Sequence, residues 1–480
     1  MKRLGMLLAV GALVLGVAMP AMAQQPPFTV SFGGQMRVNG FLWNNARDFS
    51  DTEPDGAGGT QFKDNEAWAH ERFRLYTTIQ SADKKAKAVW ALEVGDLAFG
   101  SGGGGSGAEY GGSTTRVGPS SGGGLGNDGA NVETKNAYLW FEVPGVQGVD
   151  VILGMHNIVF LASPTGAFMD DDAMGIQINF KFDPIDLQLW TAKADENNRF
   201  DADDNDFYVA RLGVNVTKDT RVTVEGMVVN SQCFARRAPV APATTGTCVD
   251  ADVGDTFWFG GTVGTKIATI SLDTTFVYGQ RALFSAANNT NIEEKGWGWQ
   301  GTARMPVGPL STWVHLWYTT GDENRIVGSQ ASKAVTAGSG QAFSTASNTT
   351  ALNRDSDKLP VPIGGASWLS APYVAEWMSG ARTTGDVFTN NPLYNDPTGT
   401  WGAGVSGTFA VTPALSIGGG VAWVGATEDN GTFGDWIIEI DAGPTYRLNP
   451  QLSFQLVFAY LLPDEGDNAW AVLSRAFYAF

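Results

Sequence analysis

The sequence predicts an all-β protein, a transmembrane antiparallel β-barrel of about eighteen strands, with sixteen as the alternative count. Three observations predict it. Apolar and polar residues alternate with period two from Phe28 onward, turn residues separate the alternating segments, and the connections between them are alternately tight and long.

Composition narrows the class. The 480 residues carry 31 Lys plus Arg against 49 Asp plus Glu, but only 17% are charged and 43% are hydrophobic. That excludes a disordered chain and a basic nucleic-acid binder. Three His and two Cys leave little for metal or disulfide-scaffold chemistry, so neither a metal nor a cofactor is expected.

Residues 1–23 read as a secretory signal peptide: Lys2 and Arg3, the apolar run Leu4 to Met19, then Ala21-Met22-Ala23 as a cleavage site. Residues 24–480 are then expected to form a single acidic, exported domain. No later apolar run reaches 18 residues, so no spanning helix is expected. Cys233 and Cys248 enclose fourteen residues. In an oxidising compartment one disulfide closing that loop is expected, with two free thiols as the alternative.

The first nine candidate strands are 28–43, 66–80, 86–98, 131–143, 149–160, 172–182, 185–194, 206–216 and 220–230. The second nine are 255–266, 269–280, 295–306, 309–320, 400–411, 414–425, 433–447, 451–462 and 469–480. Several have the roughly 9–11 residues that a tilted strand needs to cross a bilayer. In the first strand, Phe28, Val30, Phe32, Met36, Val38 and Leu42 share one face, and Thr29, Ser31, Gln35, Arg37 and Asn39 the other.

Even-numbered connections are tight, as at Ser81 to Lys85, Asp183-Pro184 and Thr412-Pro413. Odd-numbered ones are mostly long, notably 99–130, 231–254 and 321–399. Periplasmic turns and long outer loops alternate in this way in outer-membrane barrels. Lipid cannot satisfy backbone groups, so the apolar face of a closed barrel looks outward and its polar face encloses water. Aromatics at expected strand ends, Trp297, Trp299, Trp401, Trp436, Trp470, Tyr478 and Phe480, suit the membrane interface.

Barrels of this size leave an aqueous lumen, so the phase of each strand selects the candidate functional residues. The inward cations are Arg37, Arg72, Arg74, Arg211, Arg221, Arg304 and Arg475, with Lys87. Strands 18, 1 and 2 become neighbours on closure, which would gather Arg37, Arg72, Arg74 and Arg475 into one basic wall. The inward acids are Glu93, Glu225, Asp273, Glu439 and Asp441. Lumenal charges of this kind set ion selectivity, or else they merely solvate the lumen and pair with one another.

Other motifs are negative. Residues 201–206 mimic the start of a calcium loop, but Asp206 stands where that loop needs Gly and Leu212 where it needs Glu. His70, His156 and His315 belong to no H-E-x-x-H, and neither G-x-S-x-G nor G-x-x-x-x-G-K occurs, so no catalytic residues are assigned and no enzyme is expected. The glycine tracts at 101–107 and 121–126 read as flexible loop, not as a phosphate cradle.

At its end the chain resembles the bacterial outer-membrane porins. Trp470, Val472, Ala476, Tyr478 and Phe480 share one face of the last strand and end in Phe, with Ser474 interrupting the pattern. In its signal peptide, first strand and acidic loops it is also similar to trimeric porins of anaerobic sulfur-metabolising bacteria.

The resemblance implies a water-filled channel in the outer membrane of a Gram-negative bacterium, passing small hydrophilic solutes and ions by diffusion, and a homotrimer. Contacts with outer-membrane lipid and lipopolysaccharide are implied, as is recognition of Phe480 by the barrel-assembly machinery. Alternatives are a channel selective for anions or oligosaccharides, with Trp190, Trp313 and Trp317 as aromatic lining, or a surface-interaction barrel. The resemblance further implies that an outer loop folds into the lumen to oppose the basic wall. The candidate is Leu161 to Asp172, ending in Asp170-Asp171-Asp172, with 99–130 or 321–399 as alternatives.

Overall fold

The computed structural model describes residues 28–44, 65–99, 132–163, 166–195, 205–231, 253–285, 290–319, 400–426 and 436–480. The signal segment, both cysteines and nearly all of connections 99–130, 231–254 and 321–399 lie outside them. Every element among the described residues is a strand. The first nine are β1 (Phe28–Asn44), β2 (Asn65–Ser81), β3 (Ala86–Ala98), β4 (Val132–Glu142), β5 (Val149–Ser163), β6 (Gly166–Phe182), β7 (Ile185–Asp195), β8 (Asn205–Thr217) and β9 (Thr220–Ser231). The others are β10 (Val253–Ile267), β11 (Ile270–Ser285), β12 (Thr290–Val307), β13 (Leu310–Thr319), β14 (Thr400–Ala410), β15 (Leu415–Ala426), β16 (Trp436–Arg447), β17 (Leu452–Pro463) and β18 (Ala469–Ala479).

Each strand pairs antiparallel with its sequence neighbours, and β1 pairs with β18, so the sheet closes as a barrel of 18 strands. Closure leaves no edge strand, the condition for a sheet to sit in lipid. The tight turns all fall at one end. In the turn after β2, the Ser81 hydroxyl donates to Asp83 at 2.6 Å and the Lys85 backbone N–H donates to it at 3.1 Å. The Ser81 bond chiefly, with the Lys85 amide second, holds the Asp83 carboxyl below its ordinary 3.8.

The period-two pattern becomes two faces. Phe32, Met174, Phe259, Val405 and Leu456 are exposed on the outside. Asn39, Glu93, Asp150, Thr223, Gln300 and Glu439, in the opposite phase, are buried within. Aromatic contacts run along the outer face. Phe276 stacks on Trp297 and Trp297 on Tyr318, and further round Trp401 meets Trp423 edge-on, as does Trp423 with Trp436. Trp297 and Trp299 are not at a strand end as expected, because β12 begins at Thr290.

Closure is tight at the short-turn end. Gly34 and Phe480 exchange backbone hydrogen bonds of 2.9 and 3.0 Å, and the Phe480 ring stacks on Phe73. A Cβ at Gly34 would lie 2.6 Å from that ring and closer still to the Arg74 carbonyl, so only glycine fits there.

One expectation about the interior is corrected. The inward face is not polar throughout, for Ile158, Phe160, Leu161, Trp190, Phe207, Val209, Met227, Trp258 and Val277 form a buried apolar cluster inside the barrel. The signal for it is in the sequence: Phe207-Tyr208-Val209, Met227-Val228-Val229 and Phe257-Trp258-Phe259 are apolar on both faces, as strands covered on both sides are.

Candidate functional site: an inward hairpin and an arginine wall

The cluster exists because one hairpin leaves the wall. Strands β5 and β6 pair with each other out to Ser163 and Gly166. However, β4 pairs with β5 only through Ala137–Met155, and β6 pairs with β7 only from Met174 onward. Past His156 and Ala173 the hairpin therefore stands away from both neighbours, and the outer end of β5 contacts β9, β10 and β11 from inside. At that end Phe160 and Leu161, both 0% exposed, enter the apolar cluster. Burying two large apolar side chains is worth roughly 1.5–3 kcal/mol each, which offsets the loss of wall hydrogen bonds.

Two sets of polar contacts hold the hairpin. At its base, Asp172 is paired with Lys135 and accepts from the Asn136 amide at 3.1 Å. At its far end, Glu225 accepts the Leu161 backbone N–H at 2.9 Å, and Arg211 donates to the Val159 carbonyl. Arg211 also pairs with Glu225: Nη2 donates to Oε2 at 3.0 Å, and Nε lies 3.0 Å from Oε1 in an ion-pair contact.

Of the expected constricting segment 161–172, residues 161–163 and 166–172 are strand, and residues 164 and 165 lie outside the described residues. Asp170, Asp171 and Asp172 stand opposite Val159, Ile158 and Asn157 on β5. The side chains of Asp170 and Asp171 lie outside the described residues. Ser163-Pro164-Thr165-Gly166 is the turn signal that could have placed the tip.

Behind the hairpin lies a cavity of about 270 Å³, lined among others by Tyr138, His156, Gln177, Gln188, Trp190 and Arg211. A polar network runs from its lining toward the short turns. Asp150 accepts from Trp140 Nε1 at 3.0 Å, Asn179 Nδ2 at 2.6 Å and Lys181 Nζ at 2.7 Å. The Asn179 oxygen in turn accepts from Gln177 and Gln188.

Four of the seven candidate arginines come together where the barrel closes. Arg37 stands directly opposite Arg72 in the β1–β2 register, with Arg74 two residues on. Arg475 of β18 donates to Asn39 at 2.9 Å. Glu93 on β3 is buried between two of them, paired with Arg74 and, at 3.4 Å, with Arg72. A single carboxylate thus meets two guanidinium groups.

The other candidates are dispersed. Arg221 is bound by Asp186 at 2.6 Å and Asn215 at 3.0 Å. Arg304 lies over the Trp313 ring, 4.9 Å from its centroid. Asp273 stands opposite Thr302, and Glu439 and Asp441 share the buried inner face of β16. Trp190 and Trp317 are only 5% and 2% exposed, so neither presents a ring face to a passing solute. Among the described residues no His, Cys, Asp and Glu cluster could hold a metal ion. Of the calcium-loop mimic only Asn205 and Asp206 are described.

No family model and no curated protein matches the chain. Among solved structures, a BenF-like porin from Pseudomonas fluorescens Pf-5 aligns over 94% of this chain and 98% of its own, at 10% identity and a TM-score of 0.50. The outer membrane protein opdK from Pseudomonas aeruginosa aligns over the same shares at 10% identity and a TM-score of 0.48. The outer membrane channel DcaP of Acinetobacter baumannii covers 94% of this chain and 97% of its own, at 12% identity and 0.43. The chain has the fold of the bacterial outer-membrane porins.

Proposed function

We propose that this protein is a channel of the Gram-negative outer membrane through which small hydrophilic solutes and ions diffuse passively, without catalysis or cofactor. The observation that carries the reading is the closed 18-strand barrel, greasy outside and with charged residues within, into whose interior the β5–β6 hairpin turns. The signal-like residues 1–23 and the Phe480 terminus support export and assembly in that membrane. The glycine-bearing outer faces of β14 and β15 support close packing of barrels as a homotrimer. Single-channel recording in a planar bilayer tests the reading. Steady current in three-step units is expected, and no current from a folded barrel would overturn the channel in favour of a surface-interaction barrel.

A second reading, selectivity for anionic solutes, is favoured by the grouping of Arg37, Arg72, Arg74 and Arg475 at the closure seam, where Glu93 pairs with Arg72 and Arg74. Pore charges of one sign concentrate counter-ions and exclude co-ions. Reversal potential under a salt gradient measures this directly. Anion preference that falls in an Arg72→Ala, Arg74→Ala double variant is expected, and an unchanged potential would sink the idea. Of the three expected lining rings Trp190 and Trp317 are buried, and only Trp313, under Arg304, supports the oligosaccharide alternative.

A further inference from the structure

Main-chain groups of a strand point alternately to its two edges, so the Val159 carbonyl and the Leu161 N–H lie on one edge of β5. In a sheet these two groups would meet a neighbouring strand, but β4 pairs no further along β5 than Met155. Buried main-chain groups left unpaired are costly.

In this barrel both groups find side chains. Arg211 supplies a donor to the Val159 carbonyl and Glu225 an acceptor to the Leu161 N–H. Arg211 and Glu225 are themselves direct register partners on β8 and β9. Their ion pair thus presents one donor and one acceptor side by side, in the order that the edge of β5 requires. Between the two contacts sits Phe160, fully buried in the apolar cluster. Leu161 marks the end of the match: its φ is +50°, the left-handed region, although the β5–β6 register keeps its alignment across it, from Phe160–Met169 to Ala162–Ala167.

We propose that the Arg211–Glu225 pair is a surrogate strand, a positioning device that holds the β5–β6 hairpin across the lumen and so sets the width of the channel. This rests on the channel reading and names the residues that regulate its constriction. Release of the hairpin would join the 270 Å³ cavity behind it to the main path.

Polarity separates this role from an ordinary cross-strand salt bridge. A charge swap, Arg211→Glu with Glu225→Arg, keeps the ion pair between β8 and β9. It sets an acceptor against the Val159 carbonyl and a donor against the Leu161 N–H, and both then repel. A role in wall stability alone would be rescued by the swap, whereas a surrogate strand would not.

The experiment is single-channel conductance and neutral-polymer exclusion of the full-length barrel in planar bilayers, with heat-modifiable gel mobility confirming the fold of each variant. Glu225→Ala and the charge swap are both expected to conduct more than the unsubstituted protein and to admit larger polymers. Glu225→Gln, which keeps an acceptor oxygen, is expected to fall between. A folded swap variant with unsubstituted conductance and polymer cutoff would overturn the proposal. If the swap fails to fold, a folded Glu225→Ala variant with unchanged conductance overturns it equally. Absence of current from the unsubstituted barrel would instead remove the channel reading itself.

Discussion

Arg475 of the last strand donates a 2.9 Å hydrogen bond to Asn39 of the first, across a sequence separation of 436 residues. Asn39 is 0% exposed. The bond sits on the inner face of the seam, while Gly34 and Phe480 join the same two strands through the main chain nearer the short-turn rim.

Gly34→Val is expected to open that seam. The new Cβ would meet the Arg74 carbonyl and the Phe480 ring, and overpacking of this kind costs about 1–3 kcal/mol, with more where backbone must move. A lower fraction of heat-modifiable folded barrel on cold SDS gels is the readout. Gly33→Ala is the control, since its Cβ would meet nothing closer than 3.5 Å.

Replacing Glu93 by Gln removes the carboxylate that Arg72 and Arg74 share. The permeability ratio of anions to cations, read from the reversal potential, is expected to rise. Breaking a buried pair costs at most about 3–5 kcal/mol, less here because both arginines keep some water contact. A ratio that falls or stays constant would mean that this wall does not face the ion path.

Asp150 joins β4, β5 and β6 through three donors. Asp150→Ala removes the acceptor of the half-buried Trp140 and Asn179 groups, at less than the about 1–3 kcal/mol that a fully buried orphan costs. The thermal midpoint in detergent is expected to fall, and to fall less in Asp150→Asn, which keeps one acceptor oxygen. Equal midpoints for the two variants would show that only the charge matters.

Phe259 lies midway along β10 with its ring outside, 54% exposed. Phe259→Arg is expected to cost about 2–4 kcal/mol on insertion into lipid, the range for a cation at the bilayer midplane. Folded yield in lipid vesicles measures it. An unchanged yield would place this face against protein or water, not hydrocarbon.

Much of this architecture is legible in the sequence because a barrel wall is a local code. Period two assigns Arg72 inward and Phe73 outward with no knowledge of neighbours, and Thr412-Pro413 ends a strand wherever it sits. Closure then follows from counting, which is how Arg37, Arg72 and Arg475 are seen to be neighbours. The hairpin is less legible because its place depends on partners remote in sequence. Nothing near Val159 or Leu161 announces that Arg211 and Glu225 will satisfy their main chain. Period two gives Glu225 the same reading as Glu93, an inward acid, although one binds a backbone amide and the other two guanidinium groups. Phase identifies a face and is silent about what crosses the space in front of it.

The pairing of β1 with β18 also has a kinetic consequence. Seventeen of the eighteen neighbour contacts join segments adjacent in sequence, but the last requires both extremes of the chain. Until it forms, β1 and β18 each present a bare edge of unpaired N–H and C=O groups, a template for association with other chains. Long-range pairing is slow because the entropy of loop closure is lost before any contact repays it. The barrel therefore spends its most adhesive interval nearly complete, and its seam marks where a late folding intermediate is open to aggregation.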